Sequence, residues 1–166
     1  MGSSVKIEKM EEICIIRMNL PESMNALGKS LIDGLKLSLD EFNNDGKCRV
    51  AILTGSGKAF SAGGSLKELA DGMSTIAGVD YMRNANEIIK LITTIGKPII
   101  ACVNGVAVGA GFNIALACDI IIASSNAVFS QVFKNVGLIP DMGGLYFLPR
   151  VVGLHKAKEL NFRTCT

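Results

Sequence analysis

The stretch PIIACVNGVAVGAGFNIALACD, residues 98–119, decides how this chain is read. With the residues that follow, it is almost unbroken apolar sequence up to Ser124, long enough on count alone for a membrane-spanning helix. Its internal pattern excludes that reading. Asn104-Gly105 is a turn signal, Gly109-Ala110-Gly111 suits backbone that must approach something closely, and β-branched residues crowd both flanks but not the middle. The stretch therefore predicts a strand over 99–103, a turn, a short helix over 110–118 and a strand over 120–123.

The flanks extend the same alternation. Toward the N-terminus, 5–10 and 13–18 read as a hairpin around Glu11-Glu12, and 21–26 as a loop. Ile32, Leu35, Leu39 and Phe42 then mark one face of a helix that Asn43-Asn44-Asp45-Gly46 stops. A buried strand over 50–54 leads into a glycine-rich loop, 55–64, and a short helical segment, 66–70. Residues 71–78 read as a polar, mobile connection, and Met82, Ala85, Ile89 and Ile92 as the face of a second long helix. Toward the C-terminus the pattern predicts a strand over 128–130, a loop over 137–141, a helix from Gly143-Gly144 bounded by Pro149, and a last amphipathic helix over 154–162. Strands alternating with helices place the chain in the α/β class, as one domain over 1–166.

Composition narrows the function classes. Of 166 residues, 49% are hydrophobic and 19% charged, the balance of a globular protein rather than a disordered one. A net charge of +2 with scattered Lys and Arg excludes an evident nucleic-acid surface but suits an anionic ligand. The cysteines, Cys14, Cys48, Cys102, Cys118 and Cys165, show neither a CxxC nor metal-ligand spacing and read as buried, reduced thiols of a cytoplasmic protein. No metal site is expected. The N-terminus MGSSVKIEK has no apolar signal core, and Lys6 stands where a myristoylation signal needs Ser or Thr, so no targeting segment is expected.

Two glycine-rich loops each follow a strand and precede a helix. That placement exposes backbone N–H groups at a helix N-terminus, where they can hold an anion or a developing oxyanion. Nucleotide motifs fail: Gly57-Lys58 is followed by Ala59 where a P-loop needs Ser or Thr, Ile52 occupies its first glycine, and Ile114 replaces the third glycine of a dinucleotide fingerprint.

Four ordered blocks carry a resemblance. KAFSAGGSLKEL at 58–69, PIIACVNGVAVGAGFNIALACD at 98–119 and FSQVFKNVGLIPDMGGLYFLPRVVG at 129–153 resemble the signature blocks of the crotonase, or enoyl-CoA hydratase/isomerase, superfamily. Met24-Asn25-Ala26-Leu27 resembles its early CoA-contacting loop. The resemblance covers residues 5–160 and implies a crotonase-like spiral of ββα units that binds acyl-CoA thioesters, with CoA as part of the substrate and no separate cofactor. It also implies a homo-oligomer, a trimer or hexamer, and no membrane or nucleic-acid partner. Family members continue past Leu160 into further helices, whereas this sequence stops at NFRTCT, 161–166, so that C-terminal helical region is expected to be absent or truncated.

Carried over motif by motif, the peptide N–H groups of Gly64 and Ala110 would hold the thioester oxygen, and Ala26, Ala62, Gly63, Leu66 and Lys67 would contact substrate. Hydratases of the family place glutamates at the positions matching Asn113 and Phe133; neither residue here can act as a base. Asp141, in Gly137-Leu-Ile-Pro-Asp141, is the carboxylate left in the third block. Some relatives, including the phenylacetyl-CoA ring-epoxide isomerases, use an aspartate at this matching position, and that branch is the nearest resemblance. Apolar neighbours such as Ile139, Met142 and Phe133 would raise its pKa into a range where one group both removes and returns a proton. Asp141 also stands where it would cap the helix beginning at Gly143-Gly144. Three readings follow: an enoyl-CoA isomerase using Asp141, a hydratase using Asp141 and a water, or a catalytically silent acyl-CoA-binding protein. Asp119 and Asn104 read as turn-holding residues, His155 as a surface or packing residue, and Ser61 and Ser65 lack a relay that would make either a nucleophile.

Overall fold

The computed structural model describes residues 3–67 and 74–163. Strands β1 (Val5–Met10) and β2 (Ile13–Met18) form the expected antiparallel hairpin, its turn holding Glu11 at φ 54°. Helix α1 (Lys29–Asn44) follows, then β3 (Val50–Gly55), β4 (Ala59–Ser61) and α2 (Thr75–Thr94). The next turn repeats the order as β5 (Ile99–Val103), β6 (Val106–Val108) and α3 (Ala110–Ala117). Then come β7 (Ile120–Ala123), β8 (Val128–Ser130), a 3-10 turn (Phe133–Val136), α4 (Gly144–Val152) and α5 (Leu154–Phe162).

After the hairpin, each turn of this spiral gives its first strand to one sheet and its second to another. The larger sheet runs β1-β2-β3-β5-β7, parallel from β2 onward; the smaller runs β4-β6-β8, all parallel. The core lies where α1, α2 and the small alanine-rich α3 pack on these sheets, with Phe42, Phe60, Ile16, Leu35 and Ile88 fully buried. Helix α1 buries the apolar stripe predicted for it. In α2 the buried face is Ala85, Ile88 and Ile92, while Met82 and Ile89 are half-buried, so the stripe is rotated from the predicted one to include Ile88.

Other expectations need correction. The glycine-rich loop 55–64 contains β4, and the turn after Asn104-Gly105 contains β6; both are three-residue strands between glycines, and the glycines dominate the pattern. Residues 75–78, predicted as connection, open α2, whose first turn is capped by Ser74 accepting from the Ala77 N–H; 71–73, like 68–70 of the predicted short helix, lie outside the described residues, as does Cys165. Pro149 does not bound α4 but lies within it. Cys14, Cys48 and Cys118 are buried, but Cys102 is only half-buried. Among the described residues no helix is long and apolar enough to cross a membrane, and no group of three or more His, Cys, Asp or Glu side chains is placed to hold a metal ion.

The two polar turn residues act across the fold. Asn104 accepts from the Gly55 N–H and donates to the carbonyls of Gly57 (3.1 Å) and Ala59 (3.3 Å), tying the β3–β4 turn to the β5–β6 turn. Asp119 accepts from the Ile99 N–H at 2.8 Å and so fixes the start of β5. Beside Asn104, a Cβ on Gly105 would lie 2.1 Å from the Lys58 carbonyl oxygen, whereas one on Gly96 would meet nothing within 4 Å. Gly105→Ala is accordingly expected to destabilise by about 2–3 kcal/mol in urea unfolding and Gly96→Ala to stay within about 0.5 kcal/mol of the parent.

Candidate active site

The carboxyl ends of the three short strands face one cavity of about 230 Å³, the usual position for a ligand in parallel-strand folds. Behind β4 come Ala62, Gly63 and Gly64; behind β6, Gly109 and Ala110; behind β8, Val132 and Phe133. Helix α2 adds Tyr81, Met82 and Ala85 as a wall, and the segment before α4 adds Leu138, Asp141 and Met142.

The first two loops are locked together by main-chain contact. A Cβ on Gly63, which sits at φ 85°, would lie 2.6 Å from the Val108 carbonyl oxygen and 3.4 Å from the Ala110 nitrogen. Gly109, at φ 54° and ψ −123°, turns the chain from β6 into α3, a conformation open to glycine alone at little cost. Among the described residues, neither the Gly64 nor the Ala110 N–H donates to a protein acceptor. Ala110 is the first residue of α3, so the positive end of that helix dipole adds to the field at its N–H.

The early loop braces this pair. The Leu27 N–H donates to the Gly63 carbonyl and the Ser65 N–H to the Leu27 carbonyl, on which the Tyr81 hydroxyl also converges at 2.6 Å. Asn25 is fully buried at φ 55°; it accepts from the Leu20 N–H and donates to the carbonyls of Ser56 and Ala59, while the Ser61 hydroxyl donates to its carbonyl.

Asp141 brings a carboxyl to the cavity wall. Its carboxyl is largely buried, one oxygen (Oδ1) has no hydrogen-bond partner among the described residues, and burial pushes its pKa up to about 6. It does not cap α4: Gly143 occupies the N-cap with no side-chain hydrogen bond, and it is the Asp141 carbonyl that accepts from the Gly144 N–H at 2.8 Å. Met142 at φ 42° and Gly143 at φ 78° turn the chain between the two, which frees the carboxyl to line the cavity.

The structure thus brings Ala62, Gly63, Gly64, Leu66, Ala110, Phe133 and Asp141 to one cavity. It leaves Ala26, half-buried, and Lys67, exposed, off the cavity wall, and it puts Asn113 fully buried behind that wall. Tyr81, Met82 and Ala85 were not read from the sequence as site residues, since apolar and aromatic residues on a helix face look like ordinary core and their spacing is all the signal they give; Leu138, on the loop before α4, was not read as one either. His155 is exposed, as expected.

The model of the enoyl-CoA hydratase/isomerase family matches residues 8–165. The chain belongs to that family. It is 38% identical over 161 residues to the short-chain-enoyl-CoA hydratase of Clostridium acetobutylicum, covering 96% of this chain and 61% of that one. It is 36% identical over 151 residues to the 1,2-epoxyphenylacetyl-CoA isomerase of Escherichia coli, covering 89% and 58%. An enoyl-CoA hydratase from Bacillus anthracis superposes with a TM-score of 0.93 at 32% identity, over 98% of this chain and 63% of that one. The chain spans about three fifths of the length of these relatives, and its crotonase fold is established by both kinds of likeness. The ring-epoxide isomerase is one of several comparable relatives, so the branch singled out from the sequence is not distinguished from the hydratases.

A buried carboxyl with a raised pKa sets a pH dependence whose sign is fixed. Between the ordinary carboxylate value near 4 and about 6, the folded state binds the proton more tightly than the unfolded state, so Asp141 contributes stability below pH 4 that is lost as pH rises through 6. The unfolding free energy of Asp141→Asn, measured against wild type in urea from pH 4 to 7, is expected to gain on wild type across that interval.

Proposed function

We propose that the cavity binds an acyl-CoA thioester and moves a double bond in its acyl chain. The thioester oxygen would accept hydrogen bonds from the Gly64 and Ala110 N–H groups, which stabilise the enolate formed when Asp141 removes a proton from the chain. The protonated Asp141 then returns the proton to a different carbon, so that the reaction closes with no net gain or loss. One observation carries this reading: among the described residues, two peptide N–H groups without protein acceptors share a cavity with the Asp141 carboxyl, whose pKa burial raises to about 6, where it exchanges protons in both directions near neutrality.

A hydratase is the second reading. It is favoured by the names of relatives such as the Clostridium acetobutylicum short-chain-enoyl-CoA hydratase and a crotonyl-CoA hydratase of Syntrophomonas wolfei, 36% identical over 158 residues. In it, Asp141 would activate a water. Isomerisation of a 3-enoyl-CoA and hydration of crotonyl-CoA, assayed on one preparation, separate the two by which turnover dominates.

Asp141→Asn is expected to lower the dominant turnover about 10²- to 10⁴-fold, and full activity in that variant would remove Asp141 from the mechanism. The main-chain donor is open to a direct test as well. Ala110 is the first residue of α3, a position where proline is tolerated because its N–H has no intrahelical partner. Ala110→Pro deletes the donor while keeping the helix, and is expected to reduce kcat about 10²- to 10³-fold with far-ultraviolet circular dichroism unchanged.

A further inference from the structure

Asn113 occupies the second turn of α3, fully buried, and makes hydrogen bonds on both sides. Its Nδ2 donates to the main-chain carbonyl of Asp141 at 2.9 Å, and its Oδ1 accepts from Gln131 Nε2 at 2.8 Å. Gln131, 1% exposed, follows β8 directly. The amide of Asn113 also fills the space beside Gly144, where a Cβ would lie 2.5 Å from it. Three separate pieces of chain, the end of β8, the middle of α3 and the turn before α4, are thereby joined through one side-chain amide.

We propose that Gln131 and Asn113 form a polarised amide relay that positions Asp141 for proton transfer, which makes both of them positioning residues. The direction of the relay is dictated by chemistry. An amide has one accepting and one donating end, so a donor from Gln131 at Oδ1 leaves Nδ2 facing the Asp141 carbonyl. The Gly144 N–H converges on the same carbonyl at 2.8 Å, so two donors pin residue 141 through its main chain. That pinning matters because the carboxyl has little to orient it directly: its Oδ1 is buried with no partner among the described residues. The position of the reacting oxygens is set by the backbone beneath them, and the backbone is held by Asn113.

Inverting the relay should therefore disable it from a distance. In Gln131→Glu burial raises the pKa of the new carboxyl; once ionised it can only accept, so the Asn113 amide turns to donate toward it and presents its own oxygen to the Asp141 carbonyl, whereas the protonated form donates as Gln131 does. Asn113→Leu keeps the volume and removes the donor. This inference rests on Asp141 being the proton carrier, and Asp141→Asn tests that premise separately.

The decisive experiment measures kcat and KM for 3-enoyl-CoA isomerisation and for crotonyl-CoA hydration in wild type, Gln131→Glu, Asn113→Leu, the double variant and Asp141→Asn. Each single variant is expected to lower kcat about 10- to 100-fold, since a displacement of about 1 Å has an effect of that size, with KM changed by less than about threefold. The double variant should be no worse than Asn113→Leu alone, because the inverted donor then has nothing to act through. Additive losses in the double variant, or kcat at the wild-type level in folded Gln131→Glu throughout a pH series from about 6 to 9, across which a buried carboxyl ionises, would overturn the relay. Full activity in Asp141→Asn would instead overturn the premise. If Asn113→Leu does not fold, Gln131→Glu decides alone: lowered kcat at unchanged KM upholds the relay, and losses confined to thermal stability refute it.

Discussion

The cavity depends on one close approach of main chain to main chain. A Cβ at Gly111 would lie 2.5 Å from the Ser61 carbonyl oxygen, and one at Gly63 would lie 2.6 Å from that of Val108. No side chain fits between these segments, so the end of β4 and the start of α3 are held at backbone contact distance. Two N–H groups on different turns of the spiral can share one cavity only because that spacing is so small. The ββα repeat supplies the frame: short parallel strands stacked side by side deliver their following loops to one place, and glycine lets those loops meet.

Opposite the donors, Asp141 shows the other side of the balance. Burial penalises its ionised form, and a stable fold would do better without that carboxyl. Its carbonyl carries two hydrogen bonds while, among the described residues, its Oδ1 carries none, so the surrounding structure is invested more in where the residue sits than in satisfying that oxygen. Such an arrangement is costly for stability and suited to chemistry.

Much of this was legible in the sequence, and what was missed has specific causes. The stretch over 98–119 announced its strand, turn and helix because Asn104-Gly105 and Gly109-Ala110-Gly111 have few other uses. The four family blocks placed Gly64, Ala110 and Asp141, which do meet at one cavity. Strands β4 and β6 went unseen because each is three residues set between glycines that read as turn, whereas β8, equally short but without such flanks, was visible. Tyr81 went unseen because its contribution is a hydroxyl reaching Leu27, far away in sequence. Asn113 read as an empty position, since the partner that gives it a role, the Asp141 carbonyl, belongs to backbone that no residue type reports.

The brace around Leu27 also has a consequence for how the molecule is made. The Ser61 hydroxyl reaches back 36 residues to Asn25, and the Tyr81 hydroxyl reaches back 54 residues to Leu27. Closure over such separations is slow, and parallel pairing adds to the delay. The cavity has no local precursor: its donors come from two successive turns, its brace from the first loop and its carboxyl from a third. The cavity is therefore a property of the assembled spiral and of no single segment within it.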